Sequence, residues 1–288
     1  MATDYWNLVF PTYIENWGRA LHSLSIPSID VPLSSDDSRR LGTNIIEFGE
    51  AFCETAEERE HNQLAAEAAH KRMGLLMTNK PADAADEIEF IKPTFVMEDI
   101  SGIRAKVSDA VAKMPRGAFI RLGSRSPKDS WLLHKEGGRV LPDEDPLRFM
   151  LDCSERMYED LMLAVENNYR PHIWVRQWVD IPRWSEFRCF MRDRKLVGIS
   201  QYNYLDGEVF TEIDPDYCRW AIEMFFPSFL NATELSHVVF DVYLKTKLLG
   251  NSRMTEVKLL EINPFFELTD PCLFSWAAND MDGSCRCN

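Results

Sequence analysis

Asp241, Glu261 and Asn263 are oxygen donors set into runs of apolar residues: Val238-Val239-Phe240-Asp241-Val242-Tyr243, and Leu259-Leu260-Glu261-Ile262-Asn263-Pro264-Phe265. Both runs read as buried β-strands. Successive side chains of a strand alternate between its faces, so Glu261 and Asn263 share one face, as do Val239, Asp241 and Tyr243. If the two strands are neighbours, two carboxylates and an amide oxygen converge. Such an all-oxygen set holds a hard cation, above all Mg²⁺ carried with nucleotide phosphates. A carboxylate within an apolar strand is costly unless it is paired or bound to metal. A buried polar network that holds the sheet together satisfies the same residues, and the spacing leaves both readings open.

Cations occur at two further places. Arg121, Arg125 and Lys128 lie in and just after the strand-like run Ala118-Phe119-Ile120-Arg121-Leu122, where the chain becomes Gly/Ser-rich (Gly123-Ser124-Arg125-Ser126-Pro127-Lys128-Asp129). Backbone N–H groups of such a loop can approach an anion, and three cations nearby would hold phosphates. The pattern is not a Walker loop, because Gly-x-x-x-x-Gly-Lys-Ser/Thr is absent. A solvated basic surface is the alternative. Arg188 shares a strand face with Glu186 and Phe190, and Phe187 and Cys189 flank it. An inward arginine requires a carboxylate or a phosphate, so its partner is Glu186, Asp241 or a ligand. Asp270 precedes Pro271 and a predicted helix holding Leu273, Phe274 and Trp276, where it would act as N-cap, with substrate or metal contact as the other role. The six histidines show no ligand spacing, and no Gly-x-Ser-x-Gly elbow supports a serine nucleophile.

The surrounding pattern supplies the elements. Ile26-Pro27, Val31-Pro32 and Ser34-Ser35-Asp36-Asp37-Ser38 are turn signals. Helical spacing predicts helices over 54–78, 103–114, 147–167 and 215–230, and Pro115-Arg116-Gly117 stops the second. Strands are predicted over 172–178, 186–191 and 196–200, with Asp193-Arg194-Lys195 as a hairpin turn between the last two. A polar loop around Gly250-Asn251-Ser252 joins the two carboxylate-bearing strands. This order predicts an α+β fold with mainly antiparallel sheets rather than the βαβ alternation of a dinucleotide-binding fold.

Composition narrows the classes. The chain has 288 residues, 45% of them hydrophobic, with 8 Trp and 17 Phe, enough for a large core. A formal charge of −14 argues against a nucleic-acid backbone as the main partner. No run approaches the roughly 18 apolar residues of a membrane span, so no membrane partner is expected. The first residues carry neither a basic region nor a long apolar one, which predicts a cytoplasmic protein with reduced thiols for its seven cysteines. Cys285 and Cys287 form a Cys-x-Cys without the second ligand pair of a zinc site, and residues 280–288 read as a loose polar tail.

Several motifs, in order, resemble the cell division cycle 123 family, a divergent branch of ATP-grasp proteins. They are Ser126-Pro127-Lys128-Asp129, Glu186-Phe187-Arg188-Cys189-Phe190, Val197-Gly198-Ile199-Ser200-Gln201, Phe240-Asp241-Val242-Tyr243, Ile262-Asn263-Pro264-Phe265, Thr269-Asp270 and Leu273-Phe274-Ser275-Trp276. The resemblance implies an α+β ATP-grasp fold, in which two β-rich lobes enclose a nucleotide site. The first lobe would be 86–180, the second, with the metal site, 181–279, and a partly helical N-terminal region 1–85 would pack on them. It implies ATP and Mg²⁺ as cofactors. Arg121 would stand at the family's phosphate-contacting lysine position with Lys128 beside it, and Arg125 would complete the basic loop. Adenine would lie against Arg176-Gln177-Trp178-Val179, Arg188 would meet the terminal phosphates, and Asp241, Glu261 and Asn263 would hold Mg²⁺.

Two functions follow from the resemblance. One is an amide-forming ligase that joins a small carboxylate to an amine through an acyl phosphate, with Arg188 and Lys128 as catalytic cations. The other is an ATP-binding, non-catalytic assembly factor for a heterotrimeric translation initiation factor, with a subunit of that factor as partner. Family members that act on translation continue Ile-Ser-Gln with Arg-Asp, whereas here Gln201 is followed by Tyr202-Asn203. Glu261 stands where Asp is common, and Arg121 where Lys is. Phosphate and metal residues survive where the companion motif does not, so the expectation is the ligase, and a paralogue of the assembly protein.

Overall fold

A computed structural model describes residues 2–52, 97–152, 154–205, 214–249 and 252–288. The helix expected over 54–78, Cys53, Cys153, and Gly250-Asn251 of the polar loop lie outside the described residues. The helices are Ala2–Val9 (α1), Arg19–Leu24 (α2), Ser35–Phe52 (α3), Ser101–Val111 (α4), Trp131–Glu136 (α5), Arg148–Leu151 (α6), Glu155–Glu166 (α7) and Pro215–Ala232 (α8). The strands are Ser28–Pro32 (β1), Ala118–Leu122 (β2), His172–Gln177 (β3), Glu186–Arg192 (β4), Lys195–Gln201 (β5), Val238–Leu249 (β6), Ser252–Pro264 (β7) and Cys285–Arg286 (β8). The fold is mixed α+β, and among the described residues every strand pair is antiparallel except β5 with β8. No helix among the described residues is long and apolar enough to cross a membrane.

The chain divides into two compact units. One holds Ser28–Trp178 with the first two residues; the other holds Thr3–Pro27 and Val179–Asn288. The region taken as 1–85 is therefore parted at residue 27.

The first unit is built on a three-stranded sheet in the order β1-β3-β2. Alternation sends Val31, Ile120, Leu122, Ile173 and Val175 to one side, where they join Leu41 of α3, Val107 of α4, Phe149 of α6 and Leu161 of α7 in a single core. Each such side chain contributes about 1.5–3 kcal/mol by leaving water. Gly42 lets α3 approach α7, since a Cβ there would run into Cε of Met162. The segment expected as one helix over 147–167 holds two, one ending at Leu151 and the other beginning at Glu155. The Asp152 carboxylate accepts from the Ser130 hydroxyl and the Leu132 amide, both at 2.7 Å, and Ser154 becomes the N-cap of α7. The Ser34…Asp37 stretch, a turn signal in the sequence, is a reciprocal cap on α3. Each backbone N–H of the pair bonds the other's side chain at 3.0 Å.

The second unit is built on a five-stranded sheet in the order β7-β6-β4-β5-β8. Asp193 and Arg194 take φ of 52° and 60°, both left-handed, as a two-residue hairpin turn between β4 and β5 demands. Asp214 caps α8, accepting from Asp216 and Tyr217 amides at 3.1 and 3.2 Å, and Pro215 opens the helix. In this unit Phe229 of α8 stacks on Phe240 of β6 with ring centroids 4.1 Å apart. The helix expected after Asp270 does not form. Asp270 accepts from the Cys272 amide at 2.8 Å and Cys272 adopts φ 52°, so the segment turns instead of coiling.

Candidate functional site

In the second unit, strand register assembles a polar row. Glu261 lies opposite Asp241, Asp241 opposite Arg188, Arg188 opposite Ser200, and Ser200 beside Arg286. Paired residues of neighbouring strands share a face, so one polar row crosses all five strands. The ladder is irregular between Asp241 and Val242, where Asp241 faces Glu261 but Val242 faces Leu259. Leu260 is the extra residue of a bulge, which puts Lys258 opposite Tyr243 on the side of Glu261 although the two are three apart.

The centre of the row is a forked ion pair. Arg188 Nε donates to Asp241 Oδ1 and its Nη2 to Oδ2, both at 2.8 Å, and Nη1 donates to the Asp270 carbonyl at 2.9 Å. Arg188 is 6% exposed and Asp241 1%. Burial alone would lower the guanidinium pKa, but the charge and hydrogen bonds of Asp241 outweigh it and hold Arg188 well above its ordinary value. The guanidinium carbon lies 4.8 Å from the centroid of the Tyr202 ring. Tyr202, at the departure from the resembled motif, thus supports the central cation. Asn203, next to it, donates to the Arg183 carbonyl at 2.8 Å.

Asn263 donates from Nδ2 to Asp241 Oδ2 at 3.4 Å, so its amide nitrogen is the atom turned to the carboxylate. Among the described residues, no group of three or more His, Cys, Asp or Glu side chains is placed to hold a metal ion. The set here has two carboxylates and an amide. Its chemistry fits a hard cation: Asp241 Oδ1 receives one bond and Oδ2 two, a carboxylate has about four lone-pair sites, the Asn263 amide also carries an oxygen, and Glu261 is only half-buried.

Residues beyond the expected set buttress the row. Ser200 Oγ accepts from the Leu273 amide at 3.1 Å. Tyr204 donates to the Asp270 carboxylate at 3.1 Å, and burial first, then the Asp270 charge, pushes its pKa up to about 12. Residues 280–288, expected as a loose tail, are held in place. Arg286 Nη1 donates to the Leu273 carbonyl at 3.0 Å and to Asp280 Oδ2 at 2.6 Å, and Asn288 donates to Gln201 Oε1 at 3.0 Å and to the Tyr204 carbonyl at 2.7 Å. The motifs hinted at Ser200 and Asp270, but nothing local marks Arg286 as a member of the row.

The remaining expected residues, Val179 apart, belong to the first unit. Arg121 pairs across from Trp174, and Arg176 across from Phe119, so both arginines sit on the sheet face turned away from the core. Arg121 is 3% exposed and donates from Nε to the Leu122 carbonyl at 2.9 Å. Arg125 differs from the expected phosphate contact. Its Nε bonds Asp160 Oδ2 at 2.9 Å and its Nη2 bonds Glu159 at 3.2 Å and the second Asp160 oxygen, so its fork closes on α7. Lys128 is exposed. Its loop is anchored by Asp129, which accepts from the Ser154 hydroxyl at 2.6 Å and the Arg156 amide at 2.9 Å. In the expected adenine segment, Gln177 alternates to the side opposite Arg176, Trp178 donates its amide to the Gly117 carbonyl at 2.9 Å, and Val179 packs with Ile26, Tyr243 and Leu260 in the second unit.

A model of the D123 family matches residues 28–283. Curated relatives named translation initiation factor eIF2 assembly protein match as well. The one from Botryotinia fuckeliana is 27% identical over 210 residues, covering 69% of this chain and 50% of the relative. That from Candida albicans is 24% identical over 196 residues, covering 63% and 54%, and that from Xenopus laevis is 24% identical over 180 residues, covering 59% and 51%. The chain spans about half the length of the curated relatives it matches. Among solved structures, Cdc123 from Schizosaccharomyces pombe superposes with a TM-score of 0.61 at 17% identity, covering 96% of this chain and 93% of that one, a likeness of fold.

Proposed function

The chain belongs to the D123 family, and from that premise we propose that it is an ATP·Mg²⁺-binding assembly factor for a heterotrimeric translation initiation factor. The amide-forming ligase expected from the sequence is corrected here. The matched relatives carry the name of an eIF2 assembly protein, which supports the second expectation and removes the small carboxylate and amine substrates. Those names are the observation that carries the assembly role.

The fold proposed is a divergent ATP-grasp. In the second unit, Asp241, Glu261 and Asn263 would hold Mg²⁺, which when bound neutralises phosphate charge. Arg188 has a distinct task. Its fork keeps Asp241 oriented, and its charge is held in a buried site where it acts more strongly than in water. In the first unit, Arg121, Arg176 and Lys128 are the cations proposed for phosphate contact, and the backbone around Arg176 and Trp178 is the proposed adenine edge. Arg125 is left out, because Glu159 and Asp160 already neutralise it.

Binding of ATP with and without Mg²⁺, together with co-purification of a translation-factor subunit, tests both parts. Asp241→Ala and Glu261→Gln are expected to lose the Mg²⁺-dependent part of ATP affinity. Unchanged affinity in Glu261→Gln, which leaves the Arg188 pair in place, overturns the metal assignment. Failure of the wild-type chain to associate with any subunit of a heterotrimeric initiation factor overturns the assembly role.

A further inference from the structure

Cys285 and Cys287 flank Arg286 at the edge strand β8. Residues two apart on an extended chain share a side, so the edge brings the two thiols together. Among the described cysteines, Cys189, Cys218 and Cys272 are buried, whereas Cys285 and Cys287 are partly exposed. A solvent-borne reagent therefore meets this pair first. Cys189 is on the same face as Cys285 but two strands away, with Ile199 between them. Two strand spacings, roughly 9.6 Å, exceed the reach of a disulfide, which leaves Cys287 as the strand neighbour within range.

The two sulfurs differ in how readily they give up a proton. Cys285 is pushed up, by its interaction with Cys287 first and burial second, and keeps its proton. Cys287, through the same interaction with Cys285, is held below its ordinary value against the opposing effect of burial. The thiolate is the nucleophile in exchange chemistry, so attack starts at Cys287.

We propose that Cys285 and Cys287 form a thiol–disulfide exchange site that closes into an intramolecular disulfide on reaction with a low-molecular-weight disulfide. The Cys287 thiolate, its proton already in solvent, attacks one sulfur of the reagent RSSR. A Cys287–SR bond forms and RS⁻ leaves. That RS⁻ takes the Cys285 proton and becomes RSH. The Cys285 sulfur then attacks the Cys287 sulfur, expelling the second RS⁻, which takes up the solvent proton. Two thiols are oxidised to one disulfide and RSSR is reduced to two RSH.

Closure has a structural consequence. Extended residues two apart have Cα atoms about 6.6 Å apart, near the upper end of the disulfide range, so the bond draws the chain in around Arg286. Arg286 carries three bonds to Leu273 and Asp280 and covers the Phe274 ring at 4.0 Å. The same 270–280 segment offers the Asp270 carbonyl to Arg188. Oxidation at the edge strand thus loosens a support of the central ion pair.

The full chain, incubated with glutathione disulfide, alkylated, unfolded and cut with trypsin, tests the proposal. Trypsin cuts after Arg286, so in the oxidised protein the segment beginning at Cys287 stays linked to peptide 259–286, which bears Cys272 and Cys285, and is released on reduction; persistence of that linkage in Cys272→Ser assigns it to Cys285. Cys285→Ser is expected to trap a stable glutathione adduct at Cys287, because the resolving thiol is gone. The proposal is overturned if both cysteines remain fully alkylated in the oxidised wild type. It is equally overturned if the linkage maps to another cysteine, or if Cys287 in Cys285→Ser stays unmodified.

Discussion

Asp241 and Phe240 are neighbours in β6, yet they belong to opposite faces of the five-stranded sheet. On the Phe240 face, Phe240, Cys189 and Ile199 pair across three strands and are each no more than 1% exposed, with the Phe229 ring of α8 against Phe240. One residue along each strand, the row reads Glu261, Asp241, Arg188, Ser200, Arg286. The apolar row needs only volume and water exclusion. The polar row is just as deeply buried at its centre, so every charge there requires a partner with correct geometry. A sheet can carry a reactive face because the apolar face supplies the stability that the polar face does not.

The contrast is broken or sharpened by substitution. Asp241→Ala and Phe240→Ala are each expected to cost about 3–5 kcal/mol in denaturant unfolding, the first by leaving Arg188 buried without its partner, the second by opening a cavity. They part in function: folded Phe240→Ala keeps Mg²⁺-dependent ATP binding, and Asp241→Ala does not. Loss of binding in both variants would mean that the faces are not separable. The double variant Arg188→Met with Asp241→Leu recovers most of the stability lost in Asp241→Ala without recovering ATP, since a well-packed apolar pair replaces a buried ion pair at little cost. Arg125→Ala is expected to cost about 2 kcal/mol through Glu159 and Asp160 while leaving ATP affinity unchanged. A clear drop in affinity there would return Arg125 to the phosphate contacts.

Smaller effects follow at the rim. The Asn263 bond to Asp241 is long, at 3.4 Å, so Asn263→Ala changes stability by under about 1 kcal/mol while weakening Mg²⁺ about tenfold. Tyr204 has a folded pKa of about 12 against an ordinary 10.0. The unfolded chain releases the phenol proton first as pH rises, so the stabilisation is complete below about pH 10 and is lost between about 10 and 12. Tyr204→Phe removes that part of the alkaline decline, which unfolding curves across this window measure.

Strand alternation alone grouped Asp241 with Tyr243 and Glu261 with Asn263, and it turned Arg188 inward, because period-two patterning is local and survives any tertiary arrangement. Turn chemistry placed the β4–β5 hairpin, and Pro115-Arg116-Gly117 marked the end of α4. The same local rules failed where distant groups competed for a segment. Asp152 is drawn to Ser130 and Leu132 and breaks the expected long helix. Arg125 carries the charge a phosphate loop needs, but nothing within its own stretch shows that Glu159 and Asp160 will take it.

Residue type and spacing by themselves determined that this chain sets two carboxylates and an amide into apolar strands, turns an arginine inward and has an α+β fold. These depend on propensity and periodicity, which act over a few residues. Only tertiary structure chose Asp241 over Glu186 as the partner of Arg188, inserted the Leu260 bulge, and pinned the 280–288 segment so that Arg286 joins the row and Cys285 lies in a strand beside β5. Those choices rest on register between strands tens of residues apart, where burying one more apolar side chain or satisfying one more charge decides among pairings that local rules leave equal.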